Sequence, residues 1–254
     1  MKLRKGKGEG PPDTLRPEKE GKNVVAIDGS LLAFRAAAAG EVRSIVATHI
    51  KSKKSKAFAN RTAFKAWLVE KNAEKKTPWE AIDFTIEDIQ TAPPEKVCFG
   101  NAKNIINYIV QACDADEVEI YLDEDGDTFR HGFATVQKYK GTRDGKTKPT
   151  NLAAVKEYLV IHQGAQYPPR MKVTTDDKEI LEVDDYINIL KYNGWKANME
   201  GGKDKLISVS FDKDDLGNSG WSFDFRRKDG VPLMRYPIWI DGLGELTFRE
   251  KQKD

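Results

Sequence analysis

The stretch Val24-Val25-Ala26-Ile27-Asp28-Gly29-Ser30 decides the fold: a short apolar run is stopped by an aspartate and a glycine. It reads as a buried strand that turns into a helix, with Ser30 as the cap and Gly40 as the stop. The same grammar recurs downstream. Val118-Glu119-Ile120-Tyr121-Leu122-Asp123 and Ile207-Ser208-Val209-Ser210-Phe211-Asp212-Lys213-Asp214 are strand-like runs that end in carboxylates. A fourth acidic cluster is Glu182-Val183-Asp184-Asp185.

Helical spacing fills the intervals. Ile105, Ile106, Ile109, Val110 and Cys113 share one face, as do Leu152, Val155, Tyr158 and Leu159. Ile180, Leu181, Ile187 and Leu190 predict an amphipathic helix that ends near Asn193-Gly194. Short strands at 221–225, 235–240 and 245–248, with turns at Asp229-Gly230 and Asp241-Gly242, predict a β-rich C-terminal part. The order strand, helices, strand, helices, strand implies an α/β fold with a mainly parallel central sheet and helices on both faces. Right-handed crossovers put the strand ends on one edge, so Asp28, Asp123 and Asp212 converge there. Asp184 and Asp185 lean over the same edge from a helix.

Two blocks stand apart. Residues 1–22 are rich in Lys, Gly, Pro and Glu and read as a flexible basic tail ahead of a domain at 23–254. Residues 41–80 carry ten Lys/Arg against four Glu, and Phe64, Trp67 and Leu68 give them a helical stripe. Net charge is only +2, yet residues 129–150 hold six Lys/Arg against one Asp, and residues 176–185 hold six Asp/Glu against one Lys. Basic surface near an acidic centre suits a polyanion, although charge runs are also ordinary solvated faces.

Composition excludes several classes. No apolar run approaches a membrane span and no signal-peptide stretch follows the basic start, so no membrane partner is expected. Cys98 and Cys113 match no zinc spacing and read as buried small hydrophobes in a reducing, cytoplasmic setting. The histidines, His49, His131 and His162, form no ligand pattern. Crowded carboxylates repel one another unless cations join them, and oxygen-only donors favour Mg2+ or Mn2+. The loop at Asp123 has its glycine too early for an EF-hand, and the loop at Asp212 has Phe223 where a bidentate Glu belongs. Ser30 stands where an aspartyl phosphatase of the haloacid-dehalogenase type needs its second acid. Metal-assisted phosphodiester or phosphoryl chemistry is what this pattern leaves.

The residues resemble a known family. Asp28-Gly29-Ser30-Leu31-Leu32-Ala33-Phe34-Arg35 is similar to the opening motif of the 5′-nuclease superfamily (flap endonucleases and 5′–3′ exonucleases), especially its bacteriophage branch. Leu122-Asp123 followed by Phe129-Arg130 resembles its second motif. Tyr139-Lys140-Gly141-Thr142-Arg143 resembles Tyr-Lys-Gly-Asn-Arg, Glu182-Val183-Asp184-Asp185 resembles Glu-Ala-Asp-Asp, and Ser210 to Asp214 resembles Ser-x-Asp-x-Asp. The ordered set spans residues 24–215. The block 41–95 is longer than the resemblance implies between the first two motifs, and is expected to be a helical insertion, either a basic hairpin for DNA or a covering element.

The resemblance implies a PIN-like domain with a helical arch at 141–170 over the active site. It implies that Asp28, Asp123, Glu182, Asp184, Asp185, Asp212 and Asp214 hold Mg2+ or Mn2+, directly or through water. Lys140 and Arg143 would face the scissile phosphate, and Arg35, Arg130 and Tyr139 would contact nucleic acid. The expected substrate is DNA with a 5′ flap or 5′ end, or an RNA–DNA hybrid, in replication or repair; for a phage-encoded chain the setting is the host cytoplasm. Rival readings are a non-catalytic nucleic-acid-binding module and a PIN-type ribonuclease. The family's Gly-Asp-x-x-Asp-Asn motif and helix–three-turn–helix have no counterpart here. The resemblance then implies a second metal site short of carboxylates, and three readings stay open: a truncated chain, a separate chain that supplies that part, or a protein that works without it.

Overall fold

In the computed structural model, which describes residues 16–73, 77–134, 139, 147–173, 179–228 and 230–242, the opening stretch forms strand β1 (Asn23–Asp28) and helix α1 (Gly29–Ala38). Asp28, not Ser30, caps the helix: its Oδ1 accepts the Leu31 N–H at 2.9 Å. A cap accepts from two or three residues ahead, and Gly29 is already helical, which leaves Ser30 two residues past the cap position. Ser30 Oγ instead accepts the Asp123 N–H at 2.9 Å and ties the first two acidic strand ends together. Gly40, at φ +85°, turns the chain away after the helix.

The next segment corrects the expectation of a helical insertion at 41–95. It forms strands β2 (Val42–His49) and β3 (Ser55–Phe58), helix α2 (Arg61–Asn72) and strand β4 (Phe84–Thr91). The strands make a separate antiparallel sheet in the order β3-β2-β4. The cause is a period of two in β2: Ile45, Ala47 and His49 face inward, while Ser44, Val46 and Thr48 face outward. Its core is Ile45, Ala47, Phe58, Phe64, Leu68 and Phe84, with Trp67 and Trp79 packed against it. Only the stripe on α2 follows the helical reading. At the base of this lobe, a Cβ on Gly40 would lie 3.7 Å from Cγ of Pro93. Two hydrogen bonds also fasten the base: Gln90 donates to the Lys148 carbonyl, and the Thr150 N–H donates to Glu41.

The chain continues through α3 (Glu95–Cys113), β5 (Glu117–Tyr121), α4 (Phe129–Phe133), α5 (Leu152–Gln163), α6 (Val183–Met199) and β6 (Lys205–Val209). Strand β7 (Gly220–Phe223), the short pair β8 (Arg227–Lys228) and β9 (Val231–Pro232), and β10 (Ile238–Ile240) follow. The main sheet has the order β10-β7-β6-β1-β5, parallel except for β10 at one edge. The chain is thus an α/β protein with a mostly parallel five-stranded sheet.

Alternation in β1 feeds both faces. Val25 and Ile27 join α1, α3 and α5 in the larger core, while Ala26 faces Tyr121, Val183 and Ile187 under α6. Helix α5 lies within the stretch expected to arch over the site, yet Val155 and Leu159 are fully buried, so it is a helix of the core layer. Residues 141–146 of that stretch lie outside the described residues. Helix α6 starts at Val183 and runs through Gly194, so Ile180 and Leu181 precede it and Asn193-Gly194 does not end it. A Cβ on Gly194 would lie 2.8 Å from Leu206 Cβ; the glycine serves close approach of α6 to β6.

Of the expected tail, residues 1–15 lie outside the described part, and residues 16–22 are docked. Arg16 donates to the Gln111 carbonyl at 2.8 Å, and Lys19 pairs with Asp116 at 2.8 Å. Gly230 and Gly242 have positive φ and make the expected turns; the strand expected at 245–248 is outside the described residues. Both cysteines are free and buried, and among the described residues no helix is long and apolar enough to cross a membrane.

Candidate functional site

Parallel register sets the site. Asp28 ends β1 opposite Tyr121, and β5 delivers Asp123 two residues later on the same edge. Asp123 Oδ1 accepts the Val183 N–H at 3.0 Å, at the N-terminus of α6. Unpaired N–H groups and the helix dipole favour negative charge there. The first turn of α6 supplies that charge itself, with Glu182 at the cap position followed by Asp184 and Asp185. These three carboxylates each offer an oxygen within 4.8 Å of the others.

Electrostatics connect the strand ends to this trio. Burial pushes the Asp28 carboxyl up to about 7, and the charges of Asp123 and Asp184 add to the shift, while the Leu31 and Ser30 N–H groups oppose it. Burial also raises Asp184, with Asp185 and Glu182 adding like charge and Arg130 offsetting part of it. Five expected ligands, Asp28, Asp123, Glu182, Asp184 and Asp185, therefore share one location.

Asp212 is placed differently. Its N–H donates to Ser210 Oγ at 3.0 Å, and its charge is felt by Arg226, whose guanidinium grips Asp224 at 2.6 Å. It stands outside the tight trio. Asp214 lies in a 3-10 turn (Lys213–Gly217), and its side chain is outside the described part.

Arg130 and Tyr139, expected on nucleic acid, rest against carboxylates. Arg130 of α4 is ion-paired with Asp185, lies 3.8 Å from Glu182 Oε2 and donates to Tyr139 Oη at 2.8 Å. Tyr139 Oη donates to Glu182 Oε2 at 3.0 Å. Arg35 occupies the last turn of α1, about 10 Å of helix rise from the Asp28 end. Lys140 and Arg143 lie outside the described residues.

One group escaped the sequence reading. Lys191 of α6 is fully buried; its Nζ donates to the Asp215 carbonyl at 2.6 Å and to Ser222 Oγ at 2.5 Å. Ser208 Oγ donates to Asp215 Oδ2 at 2.9 Å. Burial lowers the lysine's pKa, and Asp215 works against that. The network fastens the 3-10 turn that carries Asp214 to the helix that carries Asp184, two turns upstream on the same helix face. The signal was Lys191 standing four residues after buried Ile187, on the apolar stripe of α6.

The chain matches no protein-family model, no curated protein and no solved structure. The α/β fold and the acidic edge are therefore the grounds for a functional reading.

Proposed function

We propose that the protein is a divalent-metal-dependent nuclease of the 5′-nuclease type, with a PIN-like domain, that hydrolyses DNA or RNA–DNA phosphodiesters at 5′ ends or junctions. The observation that carries the reading is the meeting of Asp28 and Asp123 with the Glu182, Asp184 and Asp185 trio at the carboxyl edge of a parallel sheet. The motif resemblance, carried largely by the same carboxylates, agrees with it.

The donor set fits Mg2+ or Mn2+: it is anionic and made of oxygen alone. Glu182, Asp184 and Asp185 would hold one ion, with Asp28 and Asp123 beside them. Asp212 and Asp214 would extend the set. Such ions, when bound, supply an activated water and neutralise charge on the phosphate. The chain's residues do the rest. The α6 N-terminus and the Ser30 hydroxyl fix Asp123. Arg130 balances the trio, and on release from Asp185 its planar fork is free to bind a phosphate oxygen. Lys140 and Arg143, by the resemblance, would face the scissile phosphate.

The test is incubation of a 5′-flap DNA, an RNA–DNA hybrid and a single-stranded RNA with Mg2+, with Mn2+ and with neither, reading product length on a denaturing gel and complex formation on a native one. Metal-dependent cleavage near the junction is expected. No cleavage of flap DNA or RNA–DNA hybrid with either ion would sink the reading, and preference for single-stranded RNA would replace it with a ribonuclease. One observation favours a second reading, a non-catalytic or partner-dependent nucleic-acid-binding module: Arg130 already neutralises part of the acidic trio. Binding without cleavage in the same assay selects it.

A further inference from the structure

We infer that the tip of the β2–β3 hairpin is a nucleic-acid contact, separate from the acidic centre, that grips the phosphate backbone without reading sequence. The lobe is built as an arm. It has its own aromatic core, it is joined to the domain at one end, and β2 alone extends it by about 25 Å. At its far end Lys51, Lys53, Lys54 and Lys56 fall within six residues, all exposed.

The tip is preformed. The Lys53 N–H donates to the His49 carbonyl at 2.8 Å, the His49 N–H to the Lys54 carbonyl at 2.9 Å, and the Ser52 N–H to His49 Nδ1 at 3.1 Å. No carboxylate of the described residues pairs with Lys51, Lys53 or Lys54. The adjoining acids, Glu80 and Asp83, are engaged in their own capping box. Lys56 is held over the Trp67 and Phe58 rings. The surface is thus a cluster of exposed cations on a preformed turn, of which Lys51, Lys53 and Lys54 form no ion pair among the described residues, and it suits the closely spaced charges of a nucleic-acid strand. A two-stranded β-ribbon also has the width to enter a major groove.

Ile50 and Ile82 are also exposed on this lobe, 47% and 79%, and the Ile50 N–H donates to the carbonyl of Asp83, the residue after Ile82, at 2.8 Å. Exposed apolar side chains on a lysine-rich lobe also suit an anionic lipid surface, so the experiment includes that outcome. The choice of nucleic acid rests on the nuclease reading. The geometry of the tip does not.

The experiment measures fluorescence anisotropy of a labelled duplex oligonucleotide with the full chain in EDTA, so cleavage plays no part. Wild type is compared with the K51Q/K53Q/K54Q variant across a salt series, with circular dichroism as the folding control. The variant is expected to bind roughly tenfold more weakly, and the slope of log affinity against log salt should flatten by roughly 3, about 0.9 per lost phosphate contact. Unchanged affinity and slope in a folded variant would overturn the inference, even if the protein proves to be a nuclease. Lysine-dependent binding to phosphatidylserine vesicles with none to the duplex would also overturn it. Lysine-dependent duplex binding by a protein that never cleaves would sustain the inference while the nuclease reading falls.

Discussion

Asp123 Oδ1 and the Val183 N–H lie 3.0 Å apart, and this single bond sets the end of β5 against the start of α6. Through it the last carboxylate of one strand and the first acidic turn of a helix become one site, although 60 residues separate them in the chain. The bond makes Asp123 both a fastening and a charge, and the two roles can be separated.

Asp123→Asn keeps an oxygen that can accept from Val183 and removes the charge. The folded state should lose no more than about 1 kcal/mol, the net worth of an ordinary hydrogen bond. Mn2+ affinity measured by titration calorimetry should fall at least roughly tenfold, the scale expected when a ligand charge is lost. Unaltered Mn2+ binding would remove Asp123 from the centre.

Asp28 sets a pH dependence. Its carboxyl stays protonated in the folded protein up to about 7, and in the unfolded chain only to about pH 4. The folded state holds the extra proton in between. Stability is therefore full below about pH 4 and is lost as pH rises through about 7, by on the order of a few kcal/mol. Urea unfolding in EDTA should show wild type weakening from about pH 5 to about pH 8 relative to Asp28→Asn. Millimolar Mn2+ should restore the wild type. Parallel curves for the two proteins would contradict this.

Arg130 rests on oxygens that a cation held by the trio would also use. Arg130→Gln should lower the melting temperature without metal, because Asp184 and Asp185 then face each other with less compensation. The same variant should bind Mn2+ at least as tightly as wild type. A loss of both stability and Mn2+ affinity would mean that Arg130 shapes the trio rather than balancing it.

The Lys191 network is a stability element. Lys191→Met strands the buried Asp215 carboxylate and should cost on the order of 3–5 kcal/mol in denaturant unfolding. Adding Asp215→Leu should recover part of that, since no buried charge is then left alone. If the double variant is no better than the single, the carbonyl bond and packing matter more than the charge.

The parallel sheet and its acidic edge were legible because Val24 to Asp28, Val118 to Asp123 and Ile207 to Asp212 each combine an apolar run with a terminal carboxylate. Burial and turn chemistry act locally there, so sequence suffices. The lobe was not legible, because ten cations in residues 41–80 hide the period-two alternation of Ile45, Ala47 and His49. Gly194 read as a helix end because its reason is Leu206, a contact that spacing within α6 does not encode. Lys191 was overlooked since a single lysine on a helix is normally solvated. Motif order placed Arg130 and Tyr139 at the site, while their contacts with Asp185 and Glu182 come from chain segments far apart in sequence and are visible only in the geometry.

Gly40 and Pro93 stand side by side where the antiparallel lobe leaves the domain and rejoins it. Some fifty residues thus depart and return at almost one point. Chain closure there is nearly independent of what the loop contains. The lobe is a module that can lengthen, shrink or change its charge without shifting the register of the parallel sheet, so its surface can evolve apart from the acidic edge.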